Sequence, residues 1–222
     1  MRPAVFAAGG TISSAFNGNV GRKLPFARKI SGTSGSISWT KVYSSTQLSQ
    51  HWNRITTMQY YGNYLYYIMR SSTSHKSLLV KANGNNGNIV INSAYTPTWS
   101  GNYYGVHELR GKTPTLGFMT NHHQMAVYTQ TVSGDNVVFV LVGSKATTSG
   151  DSYLESINFD ASWVDGNRRR DTRTRIETTI STTYGWVESL VIDETNAKVY
   201  AHVTTRKSGW GDKGGIMIKC DL

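Results

Sequence analysis

A series of short apolar runs separated by tight polar turns occurs three times along this chain of 222 residues. Each copy has a strand-like run, a turn rich in Gly, Asn or Asp, a second run with an aromatic residue, a loop, and a third run. Gly, Asn and Asp between two β-type runs are typical of hairpins. The turns lie at residues 61–63, 133–136 and 193–196. The pattern therefore predicts three antiparallel meanders.

Two independent markers place these copies at similar intervals, which indicates a true repeat. The second runs contain Tyr66, Phe139 and Tyr200, and the third runs end at Asn83, Asp160 and Asp221. A further strand candidate precedes each copy, at residues 36–43, 88–93 and 175–180. Four strands in a repeating meander are the make-up of a β-propeller blade.

We therefore predict an all-β fold of propeller-like four-stranded repeats, about three blades per chain, with a β-sandwich as the alternative. The repeat domain is predicted to span residues 36–222, in units of about 36–83, 88–160 and 174–222. Three blades are too few to close a ring, since propellers typically have about four to eight. A homo-oligomer is therefore expected, either as a six-bladed dimeric ring or as an open assembly whose edges other subunits cover.

The composition agrees with a β protein and excludes several other classes. Ser, Thr and Asn are abundant beside 22 Gly and 13 Tyr, which favours strands and turns over helices. The single cysteine, Cys220, excludes an internal disulfide framework. No membrane span is expected, because no apolar run reaches the roughly 18 residues that a spanning helix needs.

Positive charge is concentrated in the first half of the chain. Residues 1–107 contain ten Lys or Arg and no carboxylate, and the first acidic residue is Glu108. Residues 108–222 contain 13 residues of each sign. This asymmetry indicates an anionic partner for the first half, such as nucleic acid, an acidic polysaccharide or the acidic face of another protein.

Residues 1–35 are predicted to form an extended basic arm. The segment is rich in Gly, Ser, Asn and basic residues, and no strand or helix period persists in it. Its apolar residues predict that it becomes ordered on a neighbouring subunit. The expected docking residues are Arg2, Phe6, Phe16, Arg22, Lys23, Phe26, Arg28 and Lys29. Its first apolar stretch ends at Gly9 and is too short for a secretion signal.

The sequence predicts no enzyme, cofactor or metal site. It contains neither a Gly-x-Ser-x-Gly elbow nor a phosphate-binding loop of the Gly-x4-Gly-Lys type. Cys220 lies in a strand-like run, where a small buried hydrophobic residue is expected. His122 and His123 are adjacent, and adjacent residues on a strand point to opposite faces.

Glycoside hydrolysis requires two carboxylates that flank the sugar. Asp151 with Glu155, and Asp160 with Asp165, are the conceivable pairs. Residues 133–139 match part of the Ser-x-Asp-x-Gly-x-x-Trp turn of sialidase-type propellers, but a valine stands where the glycine should be. An ordinary hairpin turn is the simpler interpretation, so a hydrolase is less favoured.

Two loops have residues that suit a sugar or a receptor, because flat aromatic rings beside amide groups fit sugar faces. Their candidate contact residues are Trp99, Tyr103, Tyr104 and Trp210. A host glycan is therefore a second candidate partner. Nucleic acid is not favoured, because Asp165 and Asp171 flank the one arginine cluster, at residues 168–170.

The whole profile resembles the structural proteins of tailed bacteriophages, such as tail fibre, nozzle and adaptor proteins. The shared features are a β chain rich in Ser, Thr, Asn, Gly and Tyr, one cysteine, an N-terminal arm and propeller-like repeats. The resemblance implies a non-enzymatic virion component, made in the host cytoplasm and docked on virion proteins with acidic surfaces. The alternative is a propeller lectin, and a hydrolase or a nucleic-acid-binding protein is less favoured.

Overall fold

The computed structural model describes the greater part of the chain as β-strands and the turns between them. The described residues are 4–12, 23–43, 52–71, 77–90, 106–109, 124–132, 134–145, 152–158, 172–176, 183–207 and 213–221. They form 14 strands in four small antiparallel sheets and no helix. The predicted all-β class is therefore confirmed. No described segment is a helix of the length and hydropathy that crossing a membrane requires.

The first compact unit, Met1–Leu109, contains two sheets. The three-stranded sheet has the order β1 (Val5–Ile12), β2 (Lys23–Ile30) and β3 (Ile37–Val42). The four-stranded sheet has the order β4 (Trp52–Tyr61), β5 (Tyr64–Ser71), β6 (Ser77–Asn83) and β7 (Val106–Leu109). β4 packs against β1 and β2, so the two sheets share one core.

The second compact unit, Arg110–Leu222, also contains two sheets. One has β8 (Gln124–Val132), β9 (Asp135–Lys145), β10 (Ser152–Asn158) and β11 (Thr172–Ile176) in sequence order. The other has β12 (Thr183–Asp193), β13 (Lys198–Lys207) and β14 (Lys213–Asp221). β12 packs against β8 and β9, and again one core lies between the sheets.

All nine strands of the three predicted meanders are present, as β4–β6, β8–β10 and β12–β14. The turns fit their sequences. Gly62 and Asn63 both have positive φ, 54° and 68°, which is the two-residue turn that suits the twist of a hairpin. Between β12 and β13, the Asp193 carboxylate accepts hydrogen bonds from the backbone and side-chain nitrogens of Asn196, at 3.1 and 2.7 Å. These hydrogen bonds lower the pKa of Asp193.

In the described residues, none of the three fourth-strand candidates pairs with the meander that it precedes. β3 pairs with β2 and not with β4, because the tight turn between Ser31 and Ser36 joins β2 to β3 directly. β11 pairs with β10, at the far edge of the preceding meander. Of the candidate at residues 88–93, the structure describes residues 88–90, where Ile89 forms an isolated bridge to Ala82. The fourth strands of the two larger sheets, β7 and β11, therefore follow their meanders.

Part of the predicted N-terminal arm, residues 1–35, lies in two strands of the first unit. β1 and β2 pair along their whole length, and Ala8 stands opposite Ala27. Ala27 is fully buried in the core of the first unit, beside Tyr43 and Tyr67. Small alanine side chains and interspersed basic residues concealed the alternation. Whether the segment also docks on a neighbouring subunit stays a prediction.

The second unit has an aliphatic core around one stacked aromatic pair. The rings of Tyr128 and Phe139 lie 5.5 Å apart at an angle of 19°. The two sheets approach most closely at Gly143, where a Cβ atom would lie 2.7 Å from Cγ1 of Val187. A larger residue at position 143 would therefore push the sheets apart.

Candidate docking surface

The predicted docking residues that the structure describes lie on the first two strands. Phe6 is on β1, and Lys23, Phe26, Arg28 and Lys29 are on β2. The other docking residues and the aromatic loop residues lie outside the described residues: Arg2, Phe16, Arg22, Trp99, Tyr103, Tyr104 and Trp210.

The surface that emerges is the outer face of the first sheet, which we define by Val5, Ala7 and Gly9 of β1 and their cross-strand partners. Val5 stands opposite Ile30, and Ile30 stands opposite Ile37. Directly opposed residues on one face of a sheet are close neighbours. Val5 is 54% exposed and Ile37 is 55% exposed. These three side chains form an aliphatic row across the sheet, open to solvent at both ends.

An arginine lies beside this row, held across the sheet. Arg28 stands between Ala7 and Thr40 in the register, and its Nε donates a 3.0 Å hydrogen bond to Oγ1 of Thr40. Its guanidinium carbon lies 5.8 Å from the centre of the Phe26 ring. Gly9 stands opposite Phe26 in the register. The outer face therefore combines an aliphatic row with an oriented guanidinium group.

The opposite face of the same sheet packs inward. Phe6 stacks on Tyr60, with ring centres 4.8 Å apart, and lies 6.2 Å from the Trp39 ring. Phe6, Ala8 and Trp39 all contact the core. Phe6, predicted as an anchor for a neighbouring subunit, thus has a packing role within its own chain.

The described cations near this sheet contact neutral groups. The ammonium group of Lys29 lies 5.8 Å from the centre of the Phe6 ring, and Lys41 Nζ donates a 2.7 Å hydrogen bond to Oδ1 of Asn88. Aromatic rings and amide oxygens orient a cation without neutralising it. Since residues 1–107 contain no carboxylate, that stretch cannot neutralise the charges itself.

The candidates for chemistry lie mostly outside the described residues, including His122, His123, Asp151, Asp160 and Asp165. Glu155 is on β10, where it pairs with Val142 and Arg173 in the register. Cys220 is half-buried on β14, and burial together with the neighbouring Asp221 raises the pKa of its thiol. Among the described residues, no group of three or more His, Cys, Asp or Glu side chains is placed to hold a metal ion.

Sequence reasoning missed the aliphatic row. Its three members are far apart in the sequence, and only the register of β1, β2 and β3 brings them together. A β-bulge between Lys29 and Ile30 shifts that register, and no residue pattern in the sequence predicts this bulge.

No family model and no curated protein matches this chain. The resemblance to phage tail proteins therefore stays a prediction.

Proposed function

We propose that this chain is a non-enzymatic structural subunit that docks on the acidic surface of a neighbouring protein through the outer face of its first sheet. One observation supports this most strongly. Arg28 is oriented beside an exposed aliphatic row, in a half of the chain that has no carboxylate of its own.

The two components of the surface have different roles in binding. The aliphatic row contributes apolar area, at about 25 cal/mol per Å² removed from water. Arg28 can donate paired hydrogen bonds to a carboxylate, and arginine is enriched at the centres of protein interfaces. The excess positive charge speeds the encounter with an acidic partner, and salt screens that attraction over about 8 Å at physiological ionic strength.

The aliphatic row favours a protein over nucleic acid as the partner. A phosphate backbone offers anionic oxygens, and most of its binding energy is electrostatic. Such a backbone has nothing to cover Val5 and Ile37, whereas an acidic protein surface with apolar side chains matches both parts.

The phage-tail resemblance supplies the setting for this proposal: a tail component of a virion, made in the host cytoplasm and assembled with other virion proteins. The three meanders would be propeller blades in the finer form of the proposal, completed by a second copy or by other subunits. The β-sandwich alternative is supported by the two packed sheets in each unit.

Binding of the full chain to three probes of equal length tests the proposed function. The probes are a soluble peptide of glutamate with interspersed leucine, polyglutamate, and single-stranded DNA. We expect binding to the glutamate–leucine peptide to be at least about tenfold tighter than to either other probe. Ile37→Ser should remove most of that preference.

Val191→Ser is the matched control, because Val191 is 61% exposed on a strand of the second unit. It should leave the preference unchanged. Tighter binding to DNA than to the peptide would favour a nucleic-acid-binding protein. Equal binding to both acidic peptides would show that the aliphatic row has no role, and binding to glycans alone would favour the lectin.

A further inference from the structure

β14 is the long uncovered edge among the described strands. Among the described strands, β14 forms backbone hydrogen bonds only with β13, and β14 is nine residues long. A long edge strand presents a row of backbone donors and acceptors to any strand that can pair with it.

The other edge strands differ from β14. The edge strands β1 and β4 pack on each other, and so do the edge strands β8 and β12. β3 lies against the turn at Gly87, where the Tyr43 hydroxyl donates to the Gly87 carbonyl. β7 and β11 are short, with four and five residues. Covering or shortening an edge limits unwanted pairing, and β14 has neither protection among the described strands.

The side chains of β14 alternate between two environments. Ile216, Ile218 and Cys220 are half-buried on the inner side of the sheet. Residues 215, 217, 219 and 221 are exposed, and Met217 is 68% exposed. A strand added to this edge must therefore place apolar residues opposite Ile216 and Ile218.

The sequence of β14 meets that requirement against a second copy of itself. In an antiparallel pair centred on Met217, Ile216 stands opposite the partner's Ile218, and Met217 stands opposite the partner's Met217. This register keeps inner residues with inner residues and places the two exposed Met217 side chains together.

Neighbouring registers fit less well. Centring the pair on residue 216 places Met217 opposite the partner's Gly215, which has no side chain to cover it. Centring it on residue 218 places Met217 opposite the partner's Lys219, which is charged. Registers between two residues place the inner face of one strand against the outer face of the other.

We propose that two copies of this chain associate through antiparallel pairing of their β14 strands, about a two-fold axis at Met217. The pair joins two three-stranded sheets into one six-stranded sheet and removes the open edge. The association uses the second unit alone, so it does not depend on the docking surface of the first.

Disulfide trapping of the full chain tests this geometry. In a Cys220→Ser background, Met217→Cys places two thiols opposite each other, and opposed residues in an antiparallel pair have Cα atoms about 4.5 to 5.5 Å apart, within disulfide range. Under mild oxidation, we expect covalent dimer to form at least about tenfold faster than with Val191→Cys in the same background.

Val191 is the matched control because it is similarly exposed, on β12 at the other edge of the same sheet. Equal rates for the two cysteine variants would overturn the proposal, because they would indicate random collision.

A second variant tests the association without oxidation. Met217→Lys places two like charges opposite each other at an exposed site, so the fold is expected to persist while the dissociation constant rises at least about tenfold. Val191→Lys should leave it unchanged. Light scattering gives the mass as a function of concentration, and a wild-type chain that remains monomeric up to about 1 mM would also overturn the proposal.

Discussion

In the first unit, Arg28 and Lys29 lie against aromatic rings, whereas in the second unit Lys198 forms an ion pair with Asp221. Both units are pairs of packed antiparallel sheets. The difference lies in the sequences, because residues 1–109 contain ten Lys or Arg and one carboxylate, Glu108, whereas residues 110–222 contain 13 Lys or Arg and 12 carboxylates. The same architecture thus holds a strongly unbalanced charge in one unit and a nearly balanced charge in the other.

The two cores differ as well. The first unit buries the hydroxyl groups of Tyr43 and Tyr67 and the indole nitrogen of Trp39. The second has a largely aliphatic core around the Tyr128–Phe139 pair. Buried polar groups make a core sensitive to whether each group has a hydrogen-bond partner. Substitutions in the first unit separate these effects.

Gly87→Ala should give the largest loss of stability. Gly87 has a φ of +71°, and an added Cβ would lie 2.7 Å from Cζ3 of Trp39 and 3.0 Å from Cβ of Lys41. Backbone strain and overpacking together should lower the free energy of unfolding by about 3 kcal/mol, measured by chemical denaturation.

Gly35→Ala is the control for that variant. Gly35 has the same φ of +71°, but an added Cβ would meet nothing within 4 Å. It should cost only the strain of about 1 kcal/mol. If both variants cost the same, the contact of Gly87 with β3 does not contribute to the core of the first unit.

Alkaline pH should destabilise the first unit. Burial raises the pKa of Tyr43 to about 12, although the nearby Tyr67 side chain lowers that pKa by a smaller amount. Burial also raises the pKa of Tyr67 well above its ordinary value. The folded pKa exceeds the unfolded one, so this stability is complete below the ordinary pKa near 10 and is lost as the pH rises toward 12.

For Tyr43 alone, the expected fall is about 1.4 kcal/mol per pH unit in that window. Amide hydrogen exchange of β5 between pH 9 and 11, corrected for the intrinsic rate, measures it. A corrected stability that does not change over this range would contradict the burial of these phenols.

Tyr43→Phe and Tyr67→Phe should differ in their effect on stability, and both effects should be small. The Tyr43 hydroxyl donates a 2.9 Å hydrogen bond to the Gly87 carbonyl. The Tyr67 hydroxyl is buried close enough to Tyr43 to affect its pKa, but it meets no described group in hydrogen-bond geometry. Tyr43→Phe should cost about 1 to 2 kcal/mol, and Tyr67→Phe should be neutral or slightly stabilising. Equal losses in thermal denaturation would show that both hydroxyls are hydrogen-bonded.

The sequence predicts the meanders well, because local signals determine them. On β5, the apolar run at residues 65–69 is buried throughout, and Gly62–Asn63 supplies the turn. The sequence does not predict β1 and β2, because alanines and cations interrupt the alternation. It does not predict that β3 pairs with β2, because a strand candidate alone does not reveal its neighbour.

The docking surface was predictable only in part. The charge asymmetry and the basic residues of β2 are visible in the sequence. The aliphatic row is not, because Val5, Ile30 and Ile37 meet only through the register of three strands. The sequence also does not predict that β14 is an open edge, because this depends on which strands pair in the fold.

The most direct test compares one cation from each unit. Arg28→Ala and Lys198→Ala both remove one positive charge, and the glutamate–leucine peptide is titrated against each variant at several salt concentrations. We expect Arg28→Ala to weaken binding at least about tenfold and to flatten its salt dependence, while Lys198→Ala has little effect because that charge is already paired. Equal weakening by the two variants would contradict the account, since net charge alone would then explain the binding.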